Sequence, residues 1–336
     1  MVKVAVAGGT GGVGRPIVEE LLRQDKHNVI ILSRKSTPLP GLPSVPVSAI
    51  DYDDIASVAT FLREHSVDVV ISTLSLFTEE VGKAQMNLIQ AAIESSAVNR
   101  FIPSEFAFNY SHPGLLDFHA AAQMRIDAAD LLRSSHVDFT RFVFGWMLDT
   151  WNPVRAKSHM PPMSWVLDFE NRRARIPGDG KAPLTFLHSF DLAKFVAALL
   201  DEENRWPETS AFAGDRITFN EVVELAESIM GQKWEITYEP VSRLEKKDVV
   251  VFEQPEGSYD FGEGLRDVTV EFGLIVVKDM MDASVDGLRN MDFPNPEKQS
   301  QPALMTRRIS FFRMISTAFW DLFSGLNIPI LMGVRP

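Results

Sequence analysis

Two patterns of apolar residues alternate along the first half of the chain. Val4-Ala5-Val6-Ala7, Val29-Ile30-Ile31-Leu32 and Val69-Val70-Ile71 are short, nearly unbroken apolar runs. Between them lie longer stretches in which apolar residues recur every three or four positions, as at Ile17, Val18, Leu21 and Leu22 with Glu19 and Glu20 facing away. Runs of the first kind predict strands buried on both faces, and stretches of the second kind predict amphipathic helices. The pattern puts strands near 4–7, 29–32, 45–50, 68–73 and 139–147, with a fifth strand and its exit loop over 100–106. Helices follow the first strand and cover 55–65, 79–95 and about 117–134. Strands alternating with helices predict an α/β fold with a doubly wound parallel sheet. Past Trp151 the pattern weakens, with three prolines before residue 163. A strand at 185–188, helices at 189–200 and 219–231 and a strand at 234–238 are then expected. Val268–Val277 is apolar and β-branched and suits a strand or a buried helix equally. Met305–Phe323 is amphipathic, with Ile309, Phe312, Phe319 and Phe323 on one face and arginines between.

The first strand meets Gly8-Gly9-Thr10-Gly11-Gly12-Val13-Gly14 and then a helix. Gly9-x-Gly11-x-x-Gly14 in that position fits the dinucleotide-binding fingerprint. Glycine allows a sharp turn and close approach to a pyrophosphate, and the helix start offers free N–H groups to it. Gly8, Thr10, Gly11, Gly12, Val13 and Gly14 are therefore the expected cofactor loop of a Rossmann-type domain. The second strand ends in Ser33-Arg34-Lys35, where a carboxylate would select NAD. A basic residue there suits the 2′-phosphate of NADP(H), and the planar fork of Arg34 is well shaped for it. We expect this domain over 1–150, with 183–202 returning to it. Residues 151–182 and 203–336 would form a smaller C-terminal α+β substrate domain.

Composition narrows the function. The chain has 336 residues, a formal net charge of −12 and no cysteine. An acidic chain is a poor match for nucleic acid or anionic membrane surfaces. Without cysteine, disulfides, thiolate metal sites and cysteine nucleophiles are excluded. No metal pair of the His-Glu-x-x-His type occurs and no metal is expected. No apolar run approaches the length of a membrane span. Met1-Val2-Lys3 leads directly into the first strand, so no signal peptide is expected and the location is read as cytoplasmic. Nothing in the sequence sets an oligomeric state. The Gly-x-Ser-x-Gly elbow, the phosphate loop and the Tyr-x-x-x-Lys pair are all absent.

Gly8-Gly9-Thr10-Gly11-Gly12-Val13-Gly14, Ser33-Arg34, Asn99-Arg100-Phe101-Ile102-Pro103-Ser104-Glu105-Phe106 and Asp138-Phe139-Thr140 together resemble the NmrA-like, isoflavone reductase-like branch of the atypical short-chain dehydrogenases. The resemblance covers about residues 1–240. It implies NADP(H) and a substrate cleft between two domains. Thr73, Leu74, Ser75, Pro103 and Ser104 would line the ribose and nicotinamide. Phe106, Trp146 and Met147 would meet the substrate, although Trp146 and Met147 suit ordinary core as well. Reductases of this family carry a lysine on the helix after Pro-Ser-Glu-Phe. Here that position falls at or near Arg125, and no lysine occurs between Lys83 and Lys157. Arg125, His119 and Tyr110 are then the candidate catalytic residues. A guanidinium stays charged at neutral pH and donates protons poorly, but it can hold a carboxylate or stabilise an oxyanion.

Three functions follow. The first is reduction of a carbonyl or activated double bond in a small aromatic or polyketide-like metabolite. The second is a catalytically inactive, NADP(H)-sensing regulator that binds a protein partner. The third is non-redox dehydration or isomerisation on the same scaffold. The aromatic stretch from Phe139 to Trp165 favours a cleft for a flat apolar ligand.

Overall fold

A computed structural model describes residues 1–151 and 157–287. The chain begins β1 (Lys3–Ala7), α1 (Gly14–Gln24), β2 (Asn28–Ser33), β3 (Val47–Ala49), α2 (Ile55–Glu64), β4 (Val69–Ser72), α3 (Glu79–Ser95), β5 (Arg100–Ile102), α4 (Gln123–Arg133) and β6 (Asp138–Phe139). These strands form a six-stranded sheet in the order β3-β2-β1-β4-β5-β6, parallel throughout. The fold is a Rossmann-type doubly wound sheet, as the sequence pattern predicts.

Alternation along β1 assigns the two faces. Val4 and Val6 pack with Ile17, Val18 and Leu21 of α1. Ala5 and Ala7 face the opposite layer, with Leu62 of α2, Leu88 and Ile89 of α3 and Leu132 of α4. A strand buried on both sides needs no polar residue, which explains the unbroken apolar runs.

The single strand expected over 139–147 is three strands. After β6 come β7 (Arg141–Val143) and β8 (Trp146–Met147), each with a different partner. Thr140 separates the first two, its side chain buried and hydrogen-bonded to Ser210 at 2.8 Å. β7 pairs in parallel with β12 (Thr209–Ala211), a segment the sequence assigns to the second domain. β8 pairs with β11 (Pro183–Leu187), which pairs in turn with β13 (Asp215–Thr218). α5 (Ser189–Leu200) returns to pack beside α1.

β9 (Leu167–Asp168), β10 (Arg173–Pro177) and β14 (Glu235–Glu239) make a separate three-stranded sheet. With α6 (Phe219–Met230), α7 (Val241–Leu244) and α8 (Leu265–Val277) they give the smaller α+β part. Its core joins Trp151, Trp165, Phe186, Phe219, Val222 and Ile275. The ambiguous run 268–277 is helical. Val270, Gly273 and Leu274 are buried at helical spacing, and Gly273 lies against Leu244. Among the described residues no helix is long and apolar enough to cross a membrane. The amphipathic stretch 305–323 lies outside the described residues.

Candidate functional site

The glycine loop is built where β1 ends. Both the amide and the hydroxyl of Thr73 donate to the Ala7 carbonyl, at 2.8 and 2.7 Å. Gly8 then turns away at φ +77°, and a Cβ there would lie 2.8 Å from the Thr73 carbonyl oxygen. The Gly11 amide donates to the Gly8 carbonyl at 2.9 Å, closing the turn. α1 starts at Gly14 with no side-chain cap on Val13. The Arg15 amide already donates to the Gly11 carbonyl at 2.9 Å and Pro16 has no N–H, so an acceptor placed at this helix start would meet the Gly14 amide. A Cβ on Gly11 would meet only the Gly8 carbonyl, at 3.3 Å, so the ground above Gly11 is open. These features fit a pyrophosphate cradle. Ser33 ends β2, and Arg34 and Lys35 are exposed directly after it. Thr10 is exposed and Val13 half-buried.

Beside the loop, beyond the C-terminal ends of β4 and β5, opens a cleft. Val13, Thr73, Leu74, Ser75 and Ser104 form its wall on the sheet side. Gln85 of α3 shapes that wall. Its buried side chain accepts from the Ser72 hydroxyl at 2.9 Å and the Ser104 amide at 2.8 Å. The Ser104 hydroxyl donates to the Leu74 carbonyl at 2.8 Å, so the exits of the two strands are tied together. Pro103 is buried behind Ser104 and does not reach the cleft.

The facing wall is aromatic. Phe106, Phe108, Tyr110, Trp146 and Met147 line it, and Tyr259, Phe261 and Phe272 close it from the smaller α+β part. The Trp146 indole donates to the Thr150 hydroxyl at 2.9 Å, and that hydroxyl donates to the Met147 carbonyl at 2.8 Å. The indole edge is thereby fixed while its ring packs at a tilt against Trp165, centroids 4.6 Å apart.

Of the three candidate catalytic residues, two lie in the cleft. Arg125, two residues into α4, is buried, and its guanidinium sits 4.3 Å over the ring of Tyr110. It is the one charged residue lining the cleft among the described residues. Burial raises the pKa of the Tyr110 hydroxyl, with the Arg125 charge opposing. His119 does not reach the cleft. It precedes α4, its Nδ1 contacts the Glu271 carboxylate of α8 at 2.8 Å and its ring lies behind Tyr110.

Behind this wall sits Glu105 of the Pro-Ser-Glu-Phe turn, 2% exposed. Arg141 approaches one carboxyl oxygen only to 3.8 Å and donates instead to Ser111 and Thr209. The other oxygen has no partner. Burial without a compensating hydrogen bond pushes this carboxyl up from its usual 4.5 to about 7.

The sequence reasoning missed Gln85, Glu105 as a buried acid, and the aromatic closure by Tyr259, Phe261 and Phe272. Gln85 had a readable signal. It falls in the apolar stripe Gly82-Gln85-Ile89-Ala92, where a polar residue must find a buried partner.

Residues 2–263 match the model of the NmrA-like family. The chain is similar to Oxidoreductase BOA1 of Botryotinia fuckeliana, 36% identical over 239 residues, covering 70% of this chain and 78% of that protein. It is 30% identical over 298 residues to Oxidoreductase swnN of Metarhizium robertsii, covering 80% of this chain and 86% of the relative. Among solved structures, the binary complex of leucoanthocyanidin reductase with NADPH from Vitis vinifera superposes with a TM-score of 0.66 at 18% identity, over 93% of this chain and 99% of that one.

Two outcomes are expected. Gly11→Val fills the open ground above the loop and should abolish dinucleotide binding with little loss of stability. Calorimetric titration with NADPH, beside a thermal melt, checks this; normal binding would show that the loop is only a turn. Glu105→Gln tests the buried acid. The unfolded chain releases this proton near pH 4.5, whereas the folded chain holds it to about pH 7. Folding therefore loses stability as pH rises through that window, and the loss is complete above it. The variant should gain several degrees of Tm over wild type between those limits and keep a constant lead above pH 7. Parallel Tm curves for the two proteins across pH 4 to 8 would refute the assignment.

Proposed function

The chain belongs to the NmrA-like family, and we propose that it is an NADPH-dependent oxidoreductase reducing a carbonyl or an activated double bond of a small aromatic or polyketide-like metabolite. The observation that carries this reading is the continuity of the glycine loop with the aromatic cleft. Val13 and Thr73 belong to both, so a nicotinamide held along the sheet edge would be delivered against the aromatic wall. The two relatives at 36% and 30% identity bear the name oxidoreductase, and the leucoanthocyanidin reductase neighbour binds NADPH.

In this reading Gly8, Thr10, Gly11, Gly12, Val13 and Gly14 hold the pyrophosphate, and Ser33, Arg34 and Lys35 take the 2′-phosphate. Thr73, Leu74, Ser75 and Ser104 shape the space for the ribose and nicotinamide, with Pro103 packed behind Ser104. Residues 1–150 with 183–202 act as the cofactor unit and the remainder as the substrate unit. Bound NADPH supplies the hydride. Phe106, Trp146 and Met147 place the flat substrate and exclude water from it. Negative charge that the substrate carries or develops meets the Arg125 guanidinium, the one charged residue lining the cleft among the described residues. The Tyr110 hydroxyl, kept protonated by burial, donates the proton that completes the two-electron reduction and is reprotonated from solvent. His119, held by Glu271, supports the Tyr110 ring from behind.

NADPH should bind at least about tenfold tighter than NADH, a difference of roughly 1.4 kcal/mol, and Arg34→Ala should erase the preference. Equal affinities in the wild type would remove the basis for NADP(H) selection. Turnover is tested by following NADPH oxidation against a panel of aromatic and polyketide-type enones, ketones and aldehydes, with products checked for a mass gain of two hydrogens. Tyr110→Phe should slow the productive reaction by about a hundredfold or more while NADPH still binds. Tight NADPH binding with no oxidation across the panel would favour the sensing regulator instead.

A further inference from the structure

Arg125 carries a buried charge that the described residues leave unpaired. The residue is 8% exposed. Nη1 donates to the Ala121 carbonyl at 2.9 Å, and Nη2 makes a long contact of 3.4 Å to the Leu76 carbonyl. Nε is buried with no partner at all. The face of Tyr110 supplies the remaining contact. Among the described residues no carboxylate forms an ion pair with it. Glu105, the nearby acid, is approached by Arg141 and is itself buried behind the wall. Carbonyl dipoles and a ring face offset part of the cost of burying a cation, and an anion is what would offset the rest.

We infer that Arg125 is the receptor for a carboxylate on the ligand of this cleft, so that the site selects flat, conjugated monoacids over their neutral amides. The inference rests on the reductase reading only in treating that ligand as the substrate. Three features define the class. The fork of a guanidinium matches the two oxygens of a carboxylate. One positive charge lines the cleft, which suits a monoanion and leaves the second charge of a phosphate monoester uncompensated. Phe108, Trp146 and Phe272 offer ring surfaces suited to a planar ligand. The cofactor does not account for the charge. Arg125 reaches the chain after β4, whereas the basic pair Arg34–Lys35 follows β2, and β2 and β4 flank β1 on opposite sides.

The test reads binding and not turnover. Cinnamate and cinnamamide, 2-naphthoate and 2-naphthamide, and sorbate and sorbamide are titrated into the full chain by calorimetry, with and without NADP⁺. At least one acid should bind about tenfold or more tighter than its amide. In Arg125→Gln, which can still donate to the Ala121 carbonyl, that ratio should collapse to within about twofold, with NADPH affinity unchanged. Arg125→Lys should keep part of the preference, since it keeps the charge but not the fork. Equal binding of acids and amides to the wild type overturns the inference. So does the absence of binding by all three acids in the millimolar range, or survival of the preference in Arg125→Gln. The wild-type comparison decides even if a variant fails to fold. Acid selectivity without any NADPH oxidation would sink the reductase reading and leave the carboxylate site standing.

Discussion

The bond from the Thr73 hydroxyl to the Ala7 carbonyl, 2.7 Å long, is the constraint on which the site depends. It lies where the strand order reverses, with β2 on one side of β1 and β4 on the other. The last carbonyl of β1 takes two donors from one residue, and the Gly8 amide donates once more to the Leu32 carbonyl of β2, at 3.2 Å, before the chain turns. Any side chain at Gly8 would press on the Thr73 carbonyl and force β1 and β4 apart. From this point the chain diverges in two directions. One branch becomes the glycine loop and α1. The other runs through Leu74, Ser75 and Leu76 along the cleft and ends in a contact with Arg125. An open α/β sheet binds ligands in the crevice of such a reversal because no neighbouring crossover fills it.

The first half of the fold was legible because its signals are local. β1, β2 and β4 are buried on both faces, and such strands have an apolar spelling that survives without knowledge of their partners. The same signal failed over 139–147. The residues there are mostly apolar, but β6, β7 and β8 serve three sheets, and their partners are 38 to 68 residues away in sequence. Periodicity carries no information about which sheet a strand joins. The cleft shows the same division. The glycine loop is a contiguous motif and could be read directly. The aromatic closure comes from Tyr259, Phe261 and Phe272, whose role depends on where a distant segment docks. His119 fits a proton donor by residue type and proximity in sequence, yet a carboxylate on α8 engages it, a contact 152 residues long.

Three buried charges show how differently this chain treats polar groups in its interior. Asp149 is fully buried and well satisfied: it accepts from the Ser189 amide at 3.0 Å, the Ser189 hydroxyl at 2.6 Å and the Ser158 hydroxyl at 2.7 Å. A carboxylate so bonded at the start of α5 strengthens the structure. Glu105 has a distant arginine and one unpartnered oxygen, and its proton is retained to about pH 7. Arg125 cannot take that route, because a guanidinium does not lose its proton in the accessible range. Of the three, it is the one left charged with neither a counter-ion nor a means of neutralising itself. It is also the one that faces the cleft.

The short turn between β8 and Trp151 couples these features. Thr150 points toward the cleft and holds the Trp146 indole. Asp149, one residue earlier, points the other way and holds Ser158. The Ser158 hydroxyl accepts from the Met160 amide at 2.9 Å. The Met160 side chain then lies against Gly12, close enough that a Cβ there would fall 2.9 Å from its sulfur. Lys157 and His159 fasten the same segment to Glu19 of α1, at 2.6 and 2.9 Å. One turn of chain thus positions both an aromatic wall of the cleft and the strap across the glycine loop. A change that loosens Asp149 would act on the two together, because neighbouring residues on so short a turn cannot relax independently. The glycine loop and the cleft are therefore one mechanical unit, although residues of both halves of the chain build them.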